Sequence, residues 1–124
     1  MRNEQNFLKT FQRDMNWEIK GESYTETKAS LLNNYMLLTT EVSEIAEELR
    51  AVFNVTYKAK QANLDENEAF EKAKELHKDS IGKEIADCIA YLMKFANYFD
   101  IDMEKSFYSK MEEVKNRINK DQRV

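Results

Sequence analysis

The sequence contains no proline and only two glycines, Gly21 and Gly82, among its 124 residues. Folds built from strands and tight turns usually need more of both residue types, so this composition favours long, uninterrupted helices. No stretch approaches the roughly 20 apolar residues of a membrane span, and no amino-terminal apolar run resembles a signal peptide. We therefore expect an all-α protein that stays in the cytoplasm and has no membrane partner.

Cysteine and histidine are equally scarce, since Cys88 and His77 are the only examples of each. A single cysteine excludes a disulfide within the chain, and we expect Cys88 to be buried and unreactive. We expect His77 to be exposed to solvent near a helix terminus. With so few thiols, imidazoles and glycines, zinc sites, Glu-x-x-His di-iron sites and glycine-rich phosphate loops are all excluded.

The charge is balanced, with 34% charged residues and a net charge of -4. Such a surface is well solvated and gives no reason to expect a nucleic-acid polymer as partner. At this length we expect one domain, residues 1–124, built as a bundle of about four to five helices. Its long apolar stripes and many aromatic residues exceed what such helices would bury, so we expect a homodimer or homotetramer.

Helix signals divide the first half of the chain. Residues 3–17 show helical periodicity, and a break near Gly21 follows. Ser23-x-x-Glu26 is a capping-box pattern, and it predicts the start of a second helix that runs to about Val52.

The second half begins with a strongly polar segment, residues 54–79. Asp65 resembles a helix start, so we predict a short surface helix here rather than a disordered linker. Asp100 or Asp102 would cap the last helix, which carries many basic residues in its second half. These basic residues would complement the helix dipole or bind phosphate, and the sequence leaves both interpretations open.

Two pairs of acidic residues stand out within apolar, helix-forming sequence. Glu41 and Glu44 are three residues apart, and Glu84 and Asp87 repeat that spacing. Each pair lies beside a stripe of apolar residues that we predict to be buried. The first stripe is Leu31, Tyr35, Leu38, Val42, Ile45, Leu49 and Val52, and the second is Ile81, Ile85, Cys88, Leu92, Phe95 and Phe99.

If the two helices pack antiparallel, the acid pairs can face each other across a groove. Four carboxylates so placed would raise each other's pKa unless a cation neutralised them. Ligand sets made only of oxygen favour Mg²⁺, with Mn²⁺ as the alternative. The competing interpretation is that these acids are ordinary solvated residues on helix surfaces.

The stretches EVSEIAEEL and KEIADCIAYL, followed by IDMEKSFYSKM, resemble the MazG-type all-α nucleoside triphosphate pyrophosphohydrolases. The resemblance covers roughly residues 31–118. It implies Mg²⁺-dependent cleavage of a nucleoside triphosphate into the monophosphate and pyrophosphate. Two features depart from the family pattern: the acid pairs are unusually far apart, and Val114 stands where the last helix should carry asparagine.

The resemblance implicates Glu41, Glu44, Glu84 and Asp87 as metal ligands and Tyr91 as a substrate contact. Glu44 or Glu48 would position or deprotonate the attacking water. Lys110 would bind phosphate, and either Asn116 with Arg117 or Lys115 with Asn119 would replace the displaced asparagine. Trp17 would stack on the nucleobase or pack in the core or between subunits.

A non-catalytic explanation competes with this one. The chain could be a helical oligomerisation protein or a decayed family member, with its acids on the surface and its apolar stripes used only for assembly. The presence of all four acids favours an enzyme. No local pattern in the sequence encodes the base or sugar preference.

Overall fold

A computed structural model describes the backbone of residues 1–121 and the side chains of residues 1–117. This part of the chain forms four helices and no strand, which confirms the predicted all-α class. They are α1 (Arg2–Asp14), α2 (Tyr24–Gln61), α3 (Glu66–Tyr98) and α4 (Met103–Asp121). Within it, no helix has both the length and the hydropathy that a membrane span requires.

Three helix starts follow the predicted capping residues. Ser23 Oγ accepts a hydrogen bond from the Glu26 N–H at 3.2 Å, and the Glu26 carboxylate accepts one from Glu22 N–H at 2.8 Å. Asp65 accepts from the Asn67 N–H at 3.1 Å. Asp102, rather than Asp100, accepts from the Lys105 N–H at 3.3 Å. These side chains satisfy amide groups that a helix start would otherwise leave without partners.

Three helices end in a left-handed residue that is not glycine, which explains why the fold needs so few glycines. Asn16, Asn63 and Asp100, each the second residue after the end of α1, α2 or α3, adopt positive φ angles of 59°, 62° and 54°. This left-handed conformation terminates a helix and is usually supplied by glycine, although asparagine and aspartate tolerate it. After α2, the Leu64 N–H donates to Ala59 O at 3.0 Å, which completes the helix-ending turn.

The predicted short helix in residues 54–79 is wrong. Helix α2 continues to Gln61, well beyond Val52, and α3 already begins at Glu66. Residues 52–61 contain no glycine or proline that would end the helix, so it propagates until the turn at Asn63. The polar segment is therefore the tip of a long hairpin. The first helix also ends earlier than predicted, at Asp14.

The chain divides into two compact units. The first contains Met1–Leu31 and the segment from Leu92 onward, and the second is Leu32–Tyr91. The second unit is a hairpin in which the rest of α2 and most of α3 run antiparallel, joined by residues 62–65. The expectation of a single domain stays a prediction.

The predicted buried stripe on α2 is partly wrong. Tyr35, Val42 and Leu49 are exposed, with Val42 at 53%, whereas Val52 is only 3% exposed. The inner face of the hairpin is rotated by about 50° from the predicted stripe, and less exposed residues of α2 recur along it at helical spacing. They are Asn34, Leu38, Glu41, Ile45, Glu48 and Val52.

In the hairpin part of α3, the buried and half-buried positions are Ala69, Ala73, His77, Ile81, Glu84, Cys88, Ala90 and Tyr91. Ile85, by contrast, is 44% exposed, and Leu92 is also exposed. Glu41 and Glu84 therefore lie on the inner faces of the hairpin, not beside them as predicted. Cys88 is buried, as expected.

Candidate metal centre

Three of the four predicted metal ligands meet inside the hairpin. One carboxylate oxygen each from Glu41, Glu84 and Asp87 lies within 4.8 Å of the other two. Glu41 comes from α2, and the other two residues come from consecutive turns of α3. Because residues three positions apart lie on the same face of a helix, the Glu-x-x-Asp spacing on α3 places both of its acids on the side of Glu41.

The surroundings of this cluster disfavour its negative charge. Desolvation, followed by the charges of Asp87 and Glu44, raises the pKa of Glu41. The pKa of Glu84 is raised by desolvation and then by the charges of four neighbouring acids, Asp87, Glu41, Glu44 and Glu48. Carboxylates that converge this closely repel one another when they are charged, and a cation between them would relieve that repulsion.

The donor set fits a hard divalent cation. All three ligands are carboxylates, and acidic oxygen ligands of this kind suit Mg²⁺ or Mn²⁺ better than zinc. A cation here would replace the mutual repulsion with attraction and would leave coordination positions for water and phosphate oxygens. Glu41 and Glu84 are half-buried and Asp87 is exposed, so the cluster can be reached from solvent.

Glu44 and Glu48, the candidates for positioning water, lie near the three converging acids but outside their cluster. The charge of Glu44 contributes to the raised pKa of both Glu41 and Glu84, and the charge of Glu48 contributes to that of Glu84. Glu44 is exposed and Glu48 is half-buried. The hairpin therefore brings five carboxyl groups of α2 and α3 into one electrostatic neighbourhood.

Tyr91 lies one turn beyond Asp87 and is half-buried. Burial raises the pKa of its hydroxyl, and the charges of Glu41 and Asp87 raise it further. The side chain is thus beside the acids, as the predicted substrate contact requires. Burial likewise raises the pKa of the Cys88 thiol, with the three acids adding to the effect.

The prediction that His77 is exposed is wrong. Its Nδ1 lies 3.3 Å from Oε2 of Glu48, across the hairpin, and the two side chains are 20% and 26% exposed. A signal for this position existed in the sequence, because His77 precedes Glu84 by seven residues and so shares its helix face. The strongly polar sequence around His77 hid that signal.

The remaining predicted substrate contacts belong to the other compact unit. Lys110 Nζ and Arg117 Nη2 both bond to Oε1 of Glu113 on their own helix, at 3.1 and 3.3 Å. Asn116 is exposed. Of the alternative pair, Lys115 is exposed and Asn119 lies outside the described side chains. Their substrate roles stay predictions.

Trp17, the last of these predicted contacts, is 53% exposed and meets Phe11 edge to face at 5.9 Å. Phe11 in turn stacks on Phe7 at 5.6 Å. Trp17 is therefore not a core residue of the single chain. Its exposed face is available to a base or to another subunit.

Comparison with known proteins found no matching family model, no matching curated protein and no matching solved structure. The resemblance to the MazG-type enzymes therefore rests on the acid motifs and their surroundings alone.

Proposed function

We propose that this chain is a nucleoside triphosphate pyrophosphohydrolase that depends on Mg²⁺ or, alternatively, Mn²⁺. The observation that carries the proposal is the convergence of Glu41, Glu84 and Asp87 at a place where their charge is disfavoured. Like charges brought together at the expense of stability are typical of functional sites. The resemblance of the two acid motifs to the MazG-type enzymes supplies the reaction: release of pyrophosphate and a monophosphate, as in the clearance of nucleotide pools.

Each residue near the cluster then has a role. Glu41, Glu84 and Asp87 would hold the metal, with Glu44 as the fourth ligand. When bound, such an ion neutralises phosphate charge and lowers the pKa of water. Glu48 or Glu44 would orient the attacking water by accepting its hydrogen bond, and the Tyr91 hydroxyl would donate to the substrate.

Basic side chains are needed as well, because a triphosphate carries about four negative charges. Lys110 and Arg117 are our candidates for the phosphate groups, with Asn116 beside them and Trp17 stacking on the base. Both cations already bond to Glu113, so binding would exchange a carboxylate partner for a phosphate. A cytoplasmic location suits a nucleotide substrate and a single, buried thiol.

The test is release of pyrophosphate from a panel of ribonucleoside and deoxyribonucleoside triphosphates, with Mg²⁺ and with a chelator. We expect release with at least one nucleotide, and none in the chelator or from Glu84→Gln. Glu47→Gln is a matched control, because Glu47 is exposed on α2 and pairs with Arg50 at 3.4 Å. Failure of every nucleotide would refute the proposal.

A second candidate function, helical assembly without catalysis, is favoured by the uncovered apolar faces of the hairpin. Tyr35, Val42, Leu49 and Phe53 form one exposed strip along α2, and Ile85 and Ile89 are exposed on α3. Apolar surface of this kind usually marks an interface. We infer that a second copy of the chain covers it, in a homodimer or homotetramer, whether or not the protein is an enzyme.

Sedimentation measures this assembly directly. We expect at least twice the chain mass of 14.7 kDa at micromolar concentration. Phe53→Glu should shift the equilibrium towards monomer, because it places a charge in the apolar strip, while the surface variant Lys78→Glu should not. A wild-type monomer would contradict the inference.

A further inference from the structure

The contact between His77 and Glu48 joins the two helices of the hairpin, with 29 residues between its partners. A carboxylate can only accept hydrogen bonds, so in this contact Nδ1 of the imidazole donates to Oε2 of Glu48. Both side chains are more than two-thirds buried, so the contact is better shielded than an ion pair on a helix surface. His77 thus restricts the position of one oxygen of Glu48 and leaves the other oxygen to other partners.

The contact between His77 and Glu48 lies between a buried part of the hairpin and the acid cluster. Val52 and Ala73, which are four residues further towards the hairpin tip, are only 3% and 1% exposed. In the other direction, Glu41 and Glu84 are seven residues away along each helix, about 10 Å along the axis. The charge of Glu48 nevertheless contributes, as the smallest of several causes, to the raised pKa of Glu84 in the cluster.

These observations separate the two candidates for water positioning. Glu44 is exposed, whereas Glu48 is half-buried and held by an imidazole from the opposite helix. A carboxylate that orients water must itself be held in a fixed position. A hydrogen bond from a neighbouring side chain, here His77, can hold it there. Outer partners of this kind commonly change metal affinity or activity by about 10- to 100-fold when removed.

We propose that His77 is a positioning residue that holds Glu48, and that Glu48, not Glu44, orients the attacking water. The inference rests on the proposed pyrophosphohydrolase function and adds a residue that the acid motifs do not contain. His77 itself touches neither substrate nor metal; it acts through Glu48.

The kinetic test compares three substitutions of His77. The amide nitrogen of asparagine can take the place of Nδ1, whereas that of glutamine lies nearer the place of Nε2. We therefore expect His77→Asn to retain most of the wild-type kcat, and His77→Gln and His77→Ala to lose about 10- to 100-fold in kcat with little change in KM. Lys78→Ala, which changes an exposed neighbour, is the matched control.

A double-mutant cycle shows whether His77 acts through Glu48. In a Glu48→Ala background, His77→Ala should cost no further activity. Independent, multiplicative losses would overturn the inference, and so would a His77→Ala variant that melts earlier but keeps its kcat.

NMR of the single histidine tests the contact without any measurement of activity. His77 is the only one, so its imidazole gives a single set of NMR signals in untagged protein. We expect long-range proton–nitrogen spectra to show the hydrogen on Nδ1, and Glu48→Ala to abolish that preference. Mg²⁺ should shift the His77 signals in the wild type but not in Glu48→Ala. No preference for Nδ1, or no shift with Mg²⁺, would overturn the inference.

Two different results would separate the proposed function from the role of His77. A wild type that hydrolyses no nucleotide overturns the proposed function, and the positioning role with it. An active wild type in which His77→Ala retains full kcat overturns the role of His77 alone.

Discussion

Acidic residues cluster in both compact units, but they find opposite surroundings there. In the first unit, Arg2 lies 2.9 Å from Asp102 and 3.0 Å from Glu104, and the hydrogen bond from Arg2 holds the pKa of Asp102 below its usual value. In the hairpin, desolvation and neighbouring acids hold the pKa of Glu41 and Glu84 above theirs. The charged form of the first arrangement is favoured by its partners, whereas the charged form of the second is disfavoured by its surroundings.

Uncharged polar groups of the first unit are also fully used. Gln5 is only 7% exposed, and its amide donates to Asn97 Oδ1 at 3.0 Å and to Ile101 O at 2.6 Å. Its carbonyl accepts from the Met103 N–H at 3.0 Å, at the start of α4. These polar residues stabilise the fold through their hydrogen bonds, whereas the charged acids of the hairpin repel one another. Substitutions of the hairpin acids should therefore affect activity, whereas substitutions in the Gln5 network should affect stability.

The largest effect should come from the acid cluster. Glu41→Gln, Glu84→Gln and Asp87→Asn should each lower turnover about a thousandfold or more, because each removes a ligand and its charge. Glu44→Gln should abolish turnover as well if Glu44 is the fourth ligand. The metal-free variants should melt at the wild-type temperature or above it, since one of several repelling charges is gone. Near-full activity in any two of them would refute the site assignment.

The next effect tests whether the first unit contributes to the reaction at all. Lys110→Ala should lower kcat/KM about 10- to 100-fold if its ammonium binds phosphate, with little change in Tm. If Lys110 only complements the helix dipole, the same change should cost a few tenths of a kcal/mol of stability and leave kinetics alone. Arg117→Ala, which removes the other partner of Glu113, shows whether the two cations act alike. Melting curves and steady-state kinetics on both variants decide this.

Stability should respond most in the first unit. Gln5→Leu removes the amide but keeps most of the side-chain volume, so the part-buried Asn97 Oδ1, Ile101 O and Met103 N–H each lose their hydrogen bond to Gln5. We expect a loss of about 2 to 3 kcal/mol in the free energy of unfolding, measured with urea, and unchanged kcat in the folded fraction. The exposed neighbour gives the control, Asn6→Ala, which should cost less than about 0.5 kcal/mol. An equal cost for both variants would show that the Gln5 network does not matter.

The smallest effect is a pair of opposite pH dependences. Carboxyl groups with a raised pKa favour the folded state below their ordinary value of 4.5, and they lose that contribution as the pH rises through the folded-state value. Asp102 behaves oppositely: its contribution is present above the ordinary value of 3.8 and is lost as the pH falls through its lowered value. As the pH rises above 4.5, the Tm of the metal-free double variant Glu41→Gln/Glu84→Gln should therefore fall less than the Tm of the metal-free wild type. Asp102→Asn should differ most from the wild type at neutral pH and least in acid.

Local signals predicted the fold well and the burial pattern poorly. Ser23, Asp65 and Asp102 marked helix starts because capping depends on a few adjacent groups. The end of α2 was missed because asparagine at position 63 supplies the left-handed turn that glycine would have announced. The inner face was missed because Val42 and Leu49 look like core residues, and periodicity alone cannot tell which of two apolar faces meets the neighbouring helix.

The same limit applies to the candidate site. The spacing of Glu41, Glu84 and Asp87 could be read from the sequence, and the structure brings these three together. The contact of His77 with Glu48 depends on the register of the two helices, which the turn at residues 62–65 determines. No local pattern near His77 contains that register.

The ion pairs and hydrogen bonds that join residues 1–5 to residues 97–104 also affect the order of folding. The Met1 amino group lies 3.3 Å from Glu104, a contact between residues 103 positions apart, so it forms only when a loop of nearly the whole chain closes. The hairpin requires only local contacts across a four-residue turn, and local contacts form faster. The hairpin can therefore form early and the first unit last. Amides of α1 should consequently exchange with solvent through openings that leave the acid-bearing helices folded.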